Sequence, residues 1–135
     1  MTRKIRITSP HVAEAAPGLW SNCLVVDDSV YFSGLTSRAN DGETIHGDDS
    51  YEQGKAIFSK MKHLIEAAGG EMDDIVTLTV YVTDMKHNQG VWKARREFFT
   101  GDFPACALVG VAALAKPEIL VEIQGQARLK KAAGV

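Results

Sequence analysis

Apolar and polar positions alternate with two different periods along this chain. From Val76 to Thr83, valine and leucine alternate with threonine and tyrosine, which is the period-two pattern of a strand with one packed face. From Ile57 to Ala68, apolar residues recur at steps of three and four, which predicts one buried stripe of a helix. Any residue of Asp48–Ser50 can cap the start of that helix, and Gly69-Gly70 can end it.

Shorter segments complete the first three quarters of the chain. Arg3–Ile7 has the composition of a short strand. Two apolar runs, Cys23–Val26 and Val30–Ser33, flank the turn-forming Asp27-Asp28-Ser29, so a β-hairpin is predicted that ends at Ser33-Gly34. A second helix is predicted from about Met85 to Phe99, with Asp84 as its cap and Gly90 as a weak point.

The most apolar stretch runs from Phe103 to Ala127. Ala105–Leu114 carries no charge on either face, which predicts a central strand covered on both sides. A short break at Lys116–Glu118 predicts a tight connection to the next strand. From Ile119 onward apolar and polar residues alternate, so this second strand has one packed face and one polar face. Glu122 is the acid placed inside that second apolar run.

The order of elements is strand, hairpin, helix, strand, helix, strand, strand, which predicts an α+β two-layer sandwich. We expect a mixed sheet of five to six strands with two helices on one face. A length of 135 residues suits a single domain over residues 1–135. Because Ala105–Leu114 is apolar on both sides, the other sheet face also needs cover, which favours a homo-oligomer that packs sheet against sheet.

Composition narrows the functional classes. A formal net charge of −2, with both signs spread along the sequence, favours neither nucleic acid nor an anionic membrane as a partner. The two cysteines lack a paired spacing, and the chain starts without a signal-peptide pattern, so we expect a reducing cytoplasm and no disulfide framework. The four histidines lack the spacing of metal ligands. No window reaches the roughly 20 apolar residues of a membrane span.

In these segments the chain resembles the Rid family, the reactive intermediate (enamine and imine) deaminases, also called the YjgF-type family. The resemblance extends from about Ala15 to Leu129. It rests on Tyr31-Phe32-Ser33-Gly34, Ile65–Gly70, Asp74-Ile75-Val76, Val80–Asp84, Glu97-Phe98-Phe99, Phe103-Pro104-Ala105 and Leu120–Ile123. It implies a chorismate-mutase-like protomer, a homotrimer whose sheets form an inner barrel, and small-molecule clefts between subunits. It also implies deaminase chemistry without a metal or an organic cofactor.

The resemblance further implies roles for individual residues. In the family an arginine after Pro-Ala grips the substrate carboxylate, and a glutamate on the last strand holds the attacking water. Glu122 stands at the position of that glutamate, and Ser33-Gly34 at the pocket wall. Cys106 stands where the arginine is expected. Three larger side chains also replace the usual residues of the cleft: Trp20 for a tyrosine, Trp92 for an asparagine, and Leu108 for a small residue.

These replacements change what the cleft is expected to bind. Losing a buried arginine–carboxylate contact costs roughly 2 to 5 kcal/mol of binding. Two indoles and a leucine favour an aromatic or apolar ligand. One of Arg38, Arg95 and Arg96 could supply the missing cation from another direction, or all three could be solvated surface charges.

Several alternatives stay open at this point. Glu122 is either a water-holding base or a solvent-facing acid. Cys106 is either a nucleophile or a small core residue, and the two tryptophans either enclose a ligand or pack in an interface. Ser33-Gly34 is either a strand-ending device or a pocket wall. The protein is accordingly either a hydrolytic deaminase of enamine or imine substrates or a non-catalytic trimeric binder of a small metabolite. The charge disfavours a nuclease.

Overall fold

A computed structural model of the chain describes residues 3–131. It contains one six-stranded mixed sheet and two helices. The strands are β1 (Lys4–Arg6), β2 (Cys23–Val26), β3 (Ser29–Leu35), β4 (Ile75–Val82), β5 (Ala105–Gly110) and β6 (Val121–Arg128), and the helices are α1 (Ser50–Ala67) and α2 (Asn88–Arg96). The spatial order is β1-β2-β3-β6-β4-β5, with β4 and β5 parallel and all other pairs antiparallel.

The predicted α+β class, the six-stranded sheet and the two helices are confirmed. The sheet is open rather than closed into a barrel within this chain. The trimeric barrel and the single-domain assignment of residues 1–135 stay predictions. None of the helices in residues 3–131 is long and apolar enough to cross a lipid bilayer.

The core lies between the helices and one face of the sheet. Alternate residues of β4 and β6 are buried there, among them Val80, Val82, Val121 and Ile123. The stripe predicted for α1 is buried against them. The intervening residues of both strands project from the other face, which the helices leave open. This open face carries mostly threonine, tyrosine, glutamine and Glu122.

Local sequence signals set the limits of α1 as predicted. Asp49 caps the helix by accepting a hydrogen bond from the Glu52 backbone N–H at 2.8 Å. Gly69, with φ of 91°, takes the left-handed conformation that ends it. The second helix is shorter than predicted. A single 3₁₀ turn over Met85–His87, capped by Asp84, precedes it, and the α-helix ends at Arg96.

The prediction for Ala105–Leu114 was wrong. Its strand, β5, is an edge strand that pairs only with β4, and all six of its residues are exposed in the single chain. It also does not form a tight pair with the following strand, because β4 lies between β5 and β6. The parallel pairing requires a crossover between β4 and β5, and α2 lies in that crossover. An uncharged strand is therefore not enough to place it in the centre of a sheet.

One strand register and the end of one strand also differ from the expected pattern. The β4 pairing with β6 shifts between Ile75 and Thr77, so Ile75 is buried and Val76 is 45% exposed. The predicted hairpin is present, with Asp27 at φ of 54° in its turn. Its second strand, however, continues past Ser33-Gly34 to Leu35, so the strand-ending interpretation of that pair was wrong.

Candidate functional site

Glu122 lies on β6, on the open face of the sheet and opposite Tyr81 of β4. The strand alternation fixes this position, because its neighbours Val121 and Ile123 are both buried in the core. The Glu122 side chain is half-buried, and this burial raises the pKa of its carboxyl above the ordinary value. A carboxyl with a raised pKa is suited to exchanging protons with a substrate or a water molecule.

Gly34 provides the space that the Glu122 carboxylate occupies. The pairing of β3 with β6 is irregular between Phe32 and Leu35, and Ser33 and Gly34 lie inside this irregularity. A β-carbon on residue 34 would lie 2.9 Å from Glu122 Cδ and would collide with Oε2. The glycine thus allows the carboxylate to lie directly against the β3 backbone.

Asn22 connects Trp20 to Ser33, the residue that precedes Gly34. The Ser33 hydroxyl donates to the Ser21 carbonyl, and the Ser33 backbone N–H donates to the Asn22 carbonyl at 2.9 Å. The Asn22 side chain accepts from Trp20 Nε1 at 3.2 Å and donates to the Ala13 carbonyl at 2.9 Å. Trp20 is therefore held by its polar edge, while 57% of the residue is exposed.

A cleft of about 330 Å³ lies beside these residues and is called the Trp20 cleft below. Its lining includes Glu14, Leu19, Trp20, Gly34, Arg38 and Lys60. The volume and the mixture of aromatic and polar groups suit a small metabolite. Asn22, which anchors the indole, was missed by sequence reasoning. The only indication in the sequence is that Asn22 is a polar residue immediately before a strand. In the structure Asn22 is buried.

The remaining predicted site residues lie on the edge strand β5 and on α2. Cys106 is exposed on the edge strand β5, so its interpretation as a small core residue was wrong. Leu108 lies on the same strand, and Trp92 is exposed on α2. Cys23, in contrast, is fully buried, and burial raises the pKa of its thiol to about 12, so it has no reactive thiolate near neutral pH.

Arg95 lies next to Cys106. Its Nη1 donates to Cys106 Sγ at 3.2 Å, and the arginine is half-buried on α2. Of the three arginines considered from the sequence, Arg95 is the one with a hydrogen bond to Cys106. The residues lie 11 positions apart and come together through the crossover from β4 to β5.

The predicted residues fall into two groups that a single chain does not bring together. Glu122 pairs with Tyr81 on the open face. Cys106 and Leu108 pair with β4 residues whose side chains are buried on the helix side. We call Trp20, Ser33, Gly34 and Glu122 the glutamate half-site, and Trp92, Arg95, Cys106 and Leu108 the cysteine half-site. Glu122 and Cys106 project from opposite faces and are separated by β4.

Across residues 3–131, no group of three or more histidine, cysteine, aspartate or glutamate side chains is arranged to hold a metal ion. His11 and His63 do come together, with ring centroids 4.3 Å apart. They are stacked as a pair rather than arranged around a common point.

Comparison with known proteins gives consistent matches over nearly the whole chain. A family model described as Endoribonuclease L-PSP matches residues 11–129. A crystal structure of a protein of unknown function from Pseudomonas aeruginosa is 35% identical, with a TM-score of 0.84 and coverage of 100% of this chain and 99% of that one.

Two solved structures carry the Rid name. RidA from the Antarctic bacterium Psychrobacter is 29% identical, with a TM-score of 0.83, and the match covers 93% of this chain and 99% of that one. A member of the conserved Rid protein family from Yersinia pestis, described as of unknown function, is 27% identical. Its TM-score is 0.84, with 94% and 100% of the two chains covered.

Proposed function

Because this chain belongs to the Rid family, we propose that it is a hydrolytic deaminase of small enamine or imine substrates that acts in a cleft between subunits of a homotrimer. The observation that carries this proposal is the Glu122 carboxyl, half-buried against Gly34 with a raised pKa. The sequence resemblance puts Glu122 at the position of the family glutamate.

The proposed reaction needs one water and no other reactant. Glu122 accepts a hydrogen bond from water, and the water oxygen attacks the imine carbon while its proton passes through the carboxyl to the imine nitrogen. The resulting carbinolamine then gives its hydroxyl proton, through the same carboxyl, to the amino nitrogen while its carbon–nitrogen bond breaks. The products are a ketone and ammonia. A carboxyl with a raised pKa is suited to both steps, because it first takes a proton and then returns it.

Two observations support a cleft that is shared between subunits. Glu122 and Cys106 project from opposite faces of one sheet, so a site containing both requires two chains. The β5 edge is apolar and exposed, with Leu108 and Val109 uncovered in the single chain. A neighbouring subunit would cover this edge and place its glutamate half-site against the cysteine half-site of this chain.

Arg95 supplies the charge that the substrate carboxylate needs. The guanidinium now donates to a thiol sulfur, which is a weak acceptor. A carboxylate is a much better acceptor and would replace the sulfur in that hydrogen bond. The proposed substrates are therefore α-imino acids whose side chains fit beside Trp20 and Trp92. Cys106, in this proposal, leaves the space that the carboxylate enters.

The activity can be tested with 2-iminopropionate generated in situ, by following the release of pyruvate. We expect acceleration over buffer, and loss of at least about a hundredfold in kcat for Glu122→Ala, within the range for a general acid–base group. Glu118→Gln, which changes an exposed acid near β6, serves as the matched control and should retain the rate. No acceleration by the wild-type protein would refute the proposed deaminase.

The assembly can be tested separately by light scattering. A trimer mass is expected for the wild type, and Val109→Glu should lower the mass by placing charge on the exposed β5 edge. Circular dichroism checks that this variant still folds. A monomeric wild-type protein would remove the shared cleft.

A second candidate function is a non-catalytic binder of an aromatic or apolar metabolite. The exposed ring of Trp20 beside a cleft of metabolite size favours it. Fluorescence of Trp20 and Trp92 distinguishes the two functions. If the protein is a binder, a metabolite from a titrated panel quenches this emission. The protein then releases no pyruvate from 2-iminopropionate.

The family description mentions an endoribonuclease, but we do not propose nuclease activity. RNA binding depends on neutralising phosphates with a basic surface. This chain has a net charge of −2, with 15 basic and 17 acidic side chains.

A further inference from the structure

A second concave region adjoins the Trp20 cleft. The two share Arg38 and Lys60 in their linings. The second region is an open hollow of about 350 Å³ between α1 and the segment 37–46, and we call it the Ser37 hollow. Among its lining residues are His11, Ser37, Arg38, His46, Lys60 and His63. No acidic residue belongs to the lining within residues 3–131. In a chain with a net charge of −2, this is a local concentration of hydrogen-bond donors and positive charge.

Ser37 lines the hollow and carries a buried hydroxyl without a hydrogen-bond partner within residues 3–131. The residue is only 1% exposed, and its hydroxyl is the buried side-chain oxygen that makes no hydrogen bond within residues 3–131. Buried hydroxyls in folded proteins are nearly always hydrogen-bonded, to protein, to water or to a ligand. The backbone around Ser37 is firmly held, because its carbonyl accepts from the His46 N–H at 2.9 Å. The backbone of Ser37 is thus held in place beside the hollow.

The two cations at the border of the hollow, Arg38 and Lys60, form no ion pair within residues 3–131. Burial and the neighbouring charge of Arg38 lower the pKa of Lys60 to about 8. Lys60 donates to the carbonyls of Thr36 at 2.7 Å and Arg38 at 2.6 Å, which leaves one of its three N–H groups. Arg38 donates from Nη1 to the Gly42 carbonyl and keeps further donors. An anion would relieve the repulsion between the two.

Imidazole groups complete the wall. His11 and His63 stack with an interplanar angle of 24°, and their rings line the same hollow as His46. Each ring can donate an N–H. Ser59, on the same lining, adds a second hydroxyl. The donors thus come from the N-terminal segment, the 37–46 segment and α1, so they approach a central ligand from several directions.

We propose that the Ser37 hollow binds a phosphate group, either free phosphate or the phosphate of a small phosphomonoester. A phosphate presents several acceptor oxygens in a tetrahedron, and it can therefore satisfy donors from three elements at once. A carboxylate has two oxygens in one plane and would leave some of these donors unused. The volume leaves room for a small organic group beside the phosphate. This site is separate from the glutamate half-site, and it does not depend on deaminase activity.

The decisive variant is Ser37→Ala, because it removes a hydroxyl that makes no hydrogen bond within residues 3–131. Thermal denaturation and isothermal titration are carried out with inorganic phosphate, sulfate and glycerol phosphate, against potassium chloride at matched ionic strength. We expect phosphate to raise the melting temperature of the wild type more than chloride does. Ser37→Ala should keep the wild-type melting temperature without phosphate and should weaken phosphate binding about tenfold, as expected for losing one hydrogen bond to a charged group.

A second variant tests the charge. Lys60→Met should weaken phosphate binding more than tenfold, whereas Lys62→Met, which removes an exposed lysine outside the hollow, should leave the affinity unchanged. Stronger binding of glycerol phosphate than of phosphate or sulfate would identify the phosphomonoester as the ligand. The proposal is overturned if chloride has the same effect as phosphate. It is also overturned if Ser37→Ala and Lys60→Met both bind phosphate as tightly as the wild type.

Discussion

Glu122 and Gly34 occupy one space on the open face of the sheet, because the carboxylate of the first lies where a side chain of the second would be. Gly34 is not held at a positive φ angle, so its role is steric rather than conformational. The Glu122 carboxylate on β6 can therefore occupy this position only because Gly34 of β3 has no β-carbon.

Gly34→Ala should consequently reduce catalysis much more than stability. The added methyl meets the far end of a flexible side chain, which can rotate away, so we expect a loss of about 1 kcal/mol or less in the free energy of unfolding. Displacement of the carboxyl should lower kcat about a hundredfold. Urea denaturation and pyruvate release measure the two effects. A variant that keeps its full rate would show that Glu122 can act from another rotamer.

The raised pKa of Glu122 leads to a prediction about pH. Its folded-state pKa lies above the unfolded value, so the folded protein holds this proton more tightly. The corresponding stabilisation is complete below the unfolded pKa and is lost as the pH rises through the folded pKa. Glu122→Gln, which is neutral throughout, should therefore gain stability relative to the wild type over the pH range that begins at the unfolded pKa of about 4 and rises through the folded pKa.

Urea denaturation of both proteins across this range measures the difference, in which the titration of all other groups cancels. Glu118→Gln, which removes the charge of an exposed acid near β6, is the control variant. A difference between wild type and Glu122→Gln that is independent of pH would contradict the shift.

The elements with a clear period could be predicted from the sequence. The stripe of α1, the alternation of β6 and the turn of the first hairpin each depend on neighbours within a few residues. Glu122 was placed on the polar face of β6 for the same reason. Its partial burial was not evident from that pattern, because the carboxylate lies against Gly34 of β3, where the strand pairing is irregular.

The position of β5 could not be predicted from the sequence. Its uncharged residues indicate only that both sides avoid water, and cover from another subunit has the same signature as cover within the chain. The proximity of Arg95 to Cys106 likewise depends on the crossover and on parallel register, which no local pattern encodes. Ser37 was missed entirely, because a serine in a polar loop does not indicate burial.

Gly90 is a residue for which sequence and structure predict opposite effects. From helix propensity alone, Gly90→Ala in α2 should stabilise the protein by about 1 kcal/mol. In the structure, a β-carbon there would collide with Ser50 Oγ and lie 2.7 Å from the Tyr51 backbone nitrogen, at the start of α1. We expect the variant to lose about 1 to 3 kcal/mol in the free energy of unfolding.

Chemical denaturation of Gly90→Ala gives the sign directly. Gln89→Ala, at the exposed neighbouring position, should be neutral or slightly stabilising because only propensity acts there. Equal gains for both variants would mean that the two helices separate readily at this point.

In the proposed deaminase, Arg95 of α2 provides the cation that the family resemblance places at position 106 of β5. Arg95→Met should raise KM for 2-iminopropionate about tenfold or more with a smaller change in kcat, because it removes a contact to a part of the substrate that does not react. Arg96→Met removes an exposed arginine at the next position and should leave both constants unchanged.

The double variant Arg95→Met with Cys106→Arg tests whether the position of the charge matters beyond its presence. It returns a guanidinium to the strand and removes the one that would repel it, so we expect KM to fall back toward the wild-type value. Cys106→Arg alone places two guanidinium groups side by side and should be less stable than the double variant, with a coupling of about 0.5 to 3 kcal/mol. Steady-state kinetics and urea denaturation of the four proteins complete the cycle. A double variant with KM as high as that of Arg95→Met would contradict the relocated cation.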